Sequence, residues 1–223
     1  MKHTLLLIVL TGLFFSCKPS IEIIDKPIIF DETRTQLTLD YLSERYGLEQ
    51  KEPVIDPKMI VLHWTAIPTL DGSFDAFERP TLPSWRPDIN GVSGLNVSSH
   101  FLIAQDGTIY RLMPEKTMGR HVIGLNHCAL GVENVGGTED TPLTEAQLKS
   151  NIRLVEYLSE KYNIEYLIGH HEYTNFEEHP LWLEKDEGYR TKKTDPGPNF
   201  MEKIRKATKN LNFKPVPNKP KTQ

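Results

Sequence analysis

Two histidines and an aspartate, far apart along the chain, stand where side chains with metal-binding chemistry could meet. His63 ends the apolar run MIVL, His170 ends the apolar part of IEYLIGHH, and Asp195 lies in KTDPGPNF, a turn stiffened by two prolines. Two imidazoles and one carboxylate are the ligand set of zinc hydrolases, which keep a fourth position for water. On spacing alone the simpler interpretation is favoured, namely core or surface histidines and an aspartate that begins a turn.

An acidic residue within an apolar segment adds weight to the catalytic interpretation. Glu133 lies in the middle of ALGVENV, and an ionisable group is costly to bury unless it has a partner or a task. A carboxylate beside a zinc-activated water would be its general base. Alternatively, Glu133 faces solvent on a half-exposed strand, which the neighbouring Val132 and Val135 allow. The sequence leaves this choice open.

Several segments have the pattern of β-strands that could position these side chains. They are MIVL, the two halves of SSHFLIAQDGTIYRLM, ALGVENV and the apolar part of IEYLIGHH. Asp106-Gly107, between the two halves, is a strong signal for a hairpin turn. The histidines at the ends of two apolar strands could therefore project from one edge of a sheet.

Three further segments predict helices. One begins near Asp31 and has Gly47 placed to end it. A second begins with a capping box formed by Thr144 and Gln147. The last is expected at about residues 199–211. Strands that alternate with flanking helices predict an α/β fold with a central mixed β-sheet and the candidate metal site at one edge of the sheet.

Length and charge limit the classes of protein to be considered. The 223 residues can bury one good core and are too few for two large domains, so we expect one domain over residues 31–211. A formal net charge of -4 gives no basic field, so nucleic-acid binding is not favoured. Residues 67–97 and 172–194 show no period and are predicted to be irregular; long loops of this kind are usually functional or disordered.

The first residues resemble an export signal. MKHTLLLIVLTGLFFSC has an apolar run too short to span a bilayer, as in a secretory signal peptide, and its FFSC ending resembles the lipobox of bacterial lipoproteins. Residues 1–17 are therefore predicted to be a lipoprotein signal with Cys17 as the lipidated residue, the alternative being an ordinary signal peptide. Residues 18–30 would be a tether and 212–223 a flexible tail. Cys128 is interpreted as a small buried hydrophobic residue.

Six ordered blocks resemble a known family. MIVLHWTA, SSHFLIAQDGTIYRLMPE, LNHCALGVENVGG, LTEAQLKSNIRLVEYL, IGHHEY and KKTDPGPNF occur in the order seen in the type-2 family of zinc-dependent N-acetylmuramoyl-L-alanine amidases, which also contains phage lysozyme-like amidases and peptidoglycan recognition proteins. The resemblance spans roughly residues 57–204. It implies that His63, His170 and Asp195 bind Zn²⁺ and that Glu133 is the catalytic acid/base. Lys193 matches the family position that steadies charge on the substrate oxygen.

Two parts of the chain depart from the family pattern. GRHVIG differs after its histidine, which puts a substrate-wall role for His121 in doubt. Residues 172–192 form a longer segment than usual and contain His179, a competing candidate ligand that ranks below His170. His100 is expected to pack or to support the site rather than to be a fourth ligand, because a fourth protein ligand would close the site.

The resemblance implies a hydrolase that cleaves the amide bond between N-acetylmuramic acid and L-alanine in peptidoglycan or muropeptides. We expect a monomer anchored by lipid at Cys17 in the cell envelope, on the periplasmic face of the outer membrane. One wall of the substrate groove would come from residues 67–97, with Phe74, Phe77 and Trp85. The alternatives are a non-catalytic peptidoglycan-binding module and a zinc peptidase that cuts within the stem peptide.

Overall fold

The computed structural model describes residues 21–84, 89 and 91–218. The predicted signal peptide with Cys17, and Trp85 of the predicted groove wall, lie outside the described residues. Within the described ranges, no helix combines the length and the apolar composition that a membrane span requires.

The described residues form one mixed sheet of six strands. The strands are β1 (Ile24–Asp25), β2 (Met59–Leu62), β3 (Phe101–Ile103), β4 (Ile109–Arg111), β5 (Ala129–Asn134) and β6 (Tyr166–Gly169), in the spatial order β1-β4-β3-β5-β2-β6. Strands β3, β5, β2 and β6 are parallel, whereas β4 pairs antiparallel with β3, and β1 pairs parallel with β4. The predicted mixed α/β sheet and the hairpin between β3 and β4 are confirmed.

Four α-helices are described. They are α1 (Glu32–Tyr41), α2 (Leu70–Glu78), α3 (Glu145–Lys161) and α4 (Pro198–Ala207). A π-helical turn follows α1 and ends at Gly47, whose φ of 70° lies in the left-handed region that glycine tolerates. The predicted capping box of α3 is confirmed in both directions, since Gln147 N donates to Thr144 Oγ1 (3.1 Å) and Thr144 N donates to Gln147 Oε1 (2.9 Å).

The prediction that residues 67–97 are irregular is wrong for α2. Thr69 caps this helix by accepting a hydrogen bond from Gly72 N, and Ser73 and Phe77, one turn apart, are both buried. The glycine in the first turn and the prolines beyond the helix hide this pattern in the sequence. Residues 172–194 likewise contain the end of a 3₁₀ helix, His170–Phe176.

Both segments predicted at the ends of the domain make contacts with it. β1 lies within residues 18–30, and Ile28, which is buried, donates its N–H to Leu112 O (2.9 Å). Near the other end, Lys214 N donates to Glu165 O (2.8 Å), and Val216 packs on the core. The described parts of the predicted tether and tail therefore pack against the sheet domain.

The two faces of the sheet are covered differently, because successive strand side chains point to opposite faces. On one face Ile60 and Leu62 pack against residues of α3 and α4. On the other, Met59 and Val61 pack against the loop 122–125 and the 3₁₀ helix. The alternation places the residue after Leu62 on this second face.

Candidate metal centre

Three neighbouring strands bring His63, Glu133 and His170 to one level of the sheet. Leu62 pairs with Val132 on one side and with Gly169 on the other, so the next residues along β2, β5 and the end of β6 are His63, Glu133 and His170. The backbone continues this register, with His63 N donating to Val132 O (2.8 Å) and Asn134 N donating to His63 O (3.1 Å). Residues in register on parallel strands share a face, so the three side chains emerge on the same side.

A helix also fixes the end of β2. Asn134 Nδ2 donates to His63 O (2.9 Å), and Asn151 Nδ2 on α3 donates to Asn134 Oδ1 (2.7 Å). The backbone of His63 is thus held by β5 directly and by α3 through one buried amide.

Asp195 reaches the site from the segment before α4. Its backbone carbonyl accepts hydrogen bonds from His171 N (2.9 Å) and from His171 Nδ1 (3.0 Å). His171 follows His170 in the 3₁₀ helix. These two bonds therefore link the turn that carries Asp195 to the turn that carries His170.

The three predicted ligands converge. His63 Nδ1 lies 2.9 Å from His170 Nδ1, and Asp195 Oδ2 lies 3.0 Å from His170 Nδ1 and 3.3 Å from His63 Nδ1. All three residues are buried, and within the described chain they form the group of His, Cys, Asp and Glu side chains able to hold a metal ion. Zinc bonds of about 2.0–2.1 Å in a tetrahedron place ligand atoms about 3.3 Å apart, so this donor set fits zinc closely.

Electrostatics favour the protonation states that bind a cation. Burial, and then the neighbouring His63, lower the pKa of His170 to about 4, so its ring is neutral near pH 7. Burial alone would raise the pKa of Asp195, but His170 and His63 beside it bring that pKa well below its ordinary value. Metal ligands must be deprotonated, and these two residues are.

His63, His170 and Asp195, the candidate metal-binding group, line a cleft of about 190 Å³. Glu133, which is 8% exposed, and the half-buried Lys193 both line this cleft. The segment 67–97 also contributes to the lining of the cleft, through Ile67, Ala76, Phe77 and Val97. Phe74 is not among the residues that line this cleft; together with Phe30 and Leu70 it packs against the hydrophobic cluster that contains Phe77.

His179 and His100 are engaged elsewhere. His179 Nδ1 accepts a hydrogen bond from Leu181 N (3.2 Å), and its Nε2 lies 3.0 Å from Tyr166 Oη. His100 Nδ1 accepts from Gly131 N (3.0 Å), and its Nε2 donates to Thr117 O (2.8 Å). Both ring nitrogens of each histidine therefore have protein partners outside the metal-binding group.

His121 lies next to His63, a contact that the sequence did not predict. It lines the cleft, and its Nδ1 is 3.0 Å from His63 Nε2. Burial, followed by the neighbouring His63, lowers the pKa of His121 well below its ordinary value. Fifty-eight residues separate the two histidines, so no local spacing could reveal this contact. The signal available in the sequence was the histidine of GRHVIG itself.

The chain matches one family model and is similar to several known proteins. The family model described as N-acetylmuramoyl-L-alanine amidase (Amidase_2) matches residues 50–198. The endolysin of Escherichia phage T7 is 39% identical over 83 residues, which are 35% of this chain and 55% of the phage protein. Peptidoglycan recognition protein 3 of Mus musculus is 33% identical over 86 residues, 36% of this chain and 24% of that protein. The match thus spans about half the length of the phage relative and less of the mouse protein.

Solved structures share the fold over most of the chain. The N-acetylmuramoyl-L-alanine amidase LysC from Clostridium intestinale is 26% identical with a TM-score of 0.51, and the match covers 87% of this chain and 100% of that one. The endolysin LysCS from the same organism is 25% identical with a TM-score of 0.50, covering 86% and 97%.

Proposed function

Because the chain belongs to the N-acetylmuramoyl-L-alanine amidase family, we propose that it is a zinc-dependent hydrolase that cleaves the amide bond between N-acetylmuramic acid and L-alanine in peptidoglycan or muropeptides. One observation carries the proposal. The ligand atoms of His63, His170 and Asp195 converge within 4.8 Å of one another. Glu133 and Lys193 line the same cleft.

The three converging side chains would hold the ion through His63 Nδ1, His170 Nδ1 and Asp195 Oδ2. When bound, zinc supplies Lewis-acid polarisation of the scissile carbonyl and lowers the pKa of water to near 7. Three protein ligands are the number that catalytic zinc sites use, so with this donor set the fourth position would be left for water or substrate.

Glu133 is the proposed general base. It emerges beside His63 at the same level of the sheet, so its carboxylate can take the proton from the attacking water. The same carboxyl group then delivers that proton to the leaving amine of L-alanine, which completes the proton balance of the hydrolysis.

Lys193 is proposed to stabilise the negative charge on the carbonyl oxygen. It lines the cleft two residues before Asp195, so the turn that places the carboxylate ligand also places the ammonium group. A single donor to an oxyanion is typically worth ~3 kcal/mol of transition-state stabilisation.

The cellular location is proposed from the sequence. The FFSC ending supports lipidation at Cys17, which would anchor a monomer in the cell envelope, on the periplasmic face of the outer membrane. The test is mass spectrometry of the mature protein and membrane fractionation of a Cys17→Ala variant. Recovery of that variant in the membrane fraction, to the same extent as the parent protein, would contradict the anchor.

Digestion of muropeptides by the purified protein tests the activity. Zinc content is measured by elemental mass spectrometry, and products are identified by liquid chromatography with mass spectrometry. We expect about one zinc per chain and release of intact stem peptides with a free N-terminal L-alanine. Cuts between amino acids of the stem would identify a peptidase instead. Muropeptide binding without zinc or turnover would identify a binding module.

A further inference from the structure

We propose that His121 is a positioning residue that sets the tautomer of His63 and so presents His63 Nδ1 to the metal ion. The inference rests on the metal site of the proposed function and concerns a residue with no role assigned in it. His63 and His121 meet edge to face, with ring centroids 5.1 Å apart and the rings 88° from parallel. Metal-ligating histidines usually have a partner on the second ring nitrogen that fixes the ring.

The direction of the hydrogen bonds follows from a backbone carbonyl. Ala129 O lies 3.2 Å from His121 Nε2, and a carbonyl oxygen can only accept, so His121 Nε2 carries the hydrogen. In the neutral ring Nδ1 then has a lone pair. His63 Nε2 is 3.0 Å from this nitrogen and must therefore be the donor.

The hydrogen on His63 Nε2 determines the state of His63 Nδ1, the atom proposed to bind the metal. A neutral His63 with its hydrogen on Nε2 has a lone pair on Nδ1, the atom that faces His170 Nδ1 and Asp195 Oδ2. The opposite tautomer would set a hydrogen on Nδ1 and would leave two lone pairs facing each other at His63 Nε2 and His121 Nδ1. Ala129 O thus selects the metal-binding tautomer of His63 through an intervening ring.

The position of His121 is itself fixed by its surroundings. Asn126 Oδ1 accepts from His121 N (2.9 Å) and from Val122 N (2.8 Å), and Asn126 Nδ2 donates to Tyr46 Oη (3.0 Å). The ring lies against Gly131 of β5, where an added Cβ would come within 2.8 Å of His121 Cγ. A glycine in β5 therefore leaves the space that the His121 ring occupies.

The first test measures zinc affinity of the full chain by competition with a chromophoric chelator. We expect His121→Leu to bind zinc about 10–100-fold more weakly, the usual cost of losing such a partner. His121→Asn should stay within a few-fold of the parent protein, because its amide oxygen is placed on the side chain as Nδ1 is and can accept from His63 Nε2. His127→Leu, which removes a half-buried histidine outside this contact, is the matched control.

A second measurement needs no substitution. Ring ¹⁵N chemical shifts of the metal-free chain report which nitrogen of each histidine carries hydrogen. We expect hydrogen on Nε2 of both His63 and His121. Hydrogen on His63 Nδ1, or unchanged zinc affinity in folded His121→Leu, would overturn the proposal. Neither readout uses turnover, so a protein that meets both expectations but cuts no muropeptide would refute only the proposed activity.

Discussion

In the proposed mechanism, adjacent positions on neighbouring strands carry different chemical tasks. His63 and Glu133 lie at the same level of β2 and β5, yet the imidazole is directed to the metal-binding group while the carboxylate lines the cleft beside it. The separation matters because a general base must remain available for protons and must not be consumed as a ligand.

Replacing Glu133 by glutamine should separate metal binding from catalysis. The amide is nearly isosteric but cannot accept the water proton, so we expect kcat to fall about 10²–10⁴-fold with zinc content unchanged. Turnover of muropeptides and elemental analysis on the same preparation check this. A variant with parental kcat would show that another group is the base.

Replacing Asp195 by alanine should remove the metal. Loss of a ligand should cost more affinity than the ~10–100-fold that follows loss of a ligand's supporting partner. Zinc content after dialysis against a weak chelator is the measurement, with the exposed Asp186→Ala as control. Full zinc occupancy in Asp195→Ala would exclude it as a required ligand and reopen the case for His179.

Replacing Lys193 by methionine should lower kcat about 10²–10³-fold, because a charge that acts on the oxyanion is most important in the transition state. KM and zinc content should change little. Lys192→Met is the matched control, since Lys192 is adjacent and exposed. Equal losses in the two variants would argue for a general charge effect and against an oxyanion role.

The types of the residues were enough to select the candidate metal ligands one by one. They were not enough to predict that the ligands come together in space. His63 and His170 end apolar strands, and Asp195 lies in a proline-stiffened turn, so each could be selected locally. Their convergence depends on the strand order that brings β2 and β6 together, for which the family resemblance was needed. The sequence did not predict that His121 contacts His63, because the two residues are far apart along the chain and a lone histidine in a loop has no distinguishing local pattern.

Helices whose ends are set by local signals were predicted from the sequence, whereas a helix that depends on distant contacts was not. Capping signals at Thr144 and Gly47 act over one turn of helix, and both were predicted correctly. Helix α2 was missed because its signals are weak: a glycine in the first turn lowers helix propensity, and only Ser73 and Phe77 are buried. Tertiary contact with the sheet decides such a short helix.

The capping box of α3 should contribute to stability without affecting catalysis. Thr144→Ala removes the acceptor of Gln147 N and the donor to Gln105 O, and we expect a loss of about 1–2 kcal/mol in the free energy of unfolding. Urea denaturation measures it. A parallel loss of kcat or zinc would show that α3 transmits strain to the site through Asn151.

For the molecule as a whole, histidines that burial keeps neutral should make the free energy of unfolding fall as the pH is lowered. Burial lowers the pKa of His127 to about 4, and it lowers the pKa of His100 to about 4 against the smaller raising effects of the Thr117 carbonyl and of Glu115. The unfolded chain, with histidine pKa values near 6.5, then binds more protons between about pH 6.5 and pH 4, so stability falls as pH falls through that window.

Each such histidine adds at most ~1.4 kcal/mol of destabilisation per pH unit within the window. Urea denaturation of the metal-free chain at several pH values gives the slope. His127→Leu should reduce the slope of unfolding free energy against pH by the contribution of one proton. In the parent protein, His127 Nδ1 is buried and has no hydrogen-bond partner in the described chain. An unaltered slope would mean that His127 titrates normally in the folded state.

β1 and the residues just before it determine which face of the sheet the first described residues cover. β1 runs opposite to β2, β5 and β6, so Ile24 lies toward the end of the sheet where those three strands stop. The described residues just before it, Ile21 and Ile23, pack on the face of the sheet that α3 and α4 cover. The start of the described chain thus covers the face of the sheet opposite to the one on which His63 emerges, and leaves the face of the cleft uncovered by these residues.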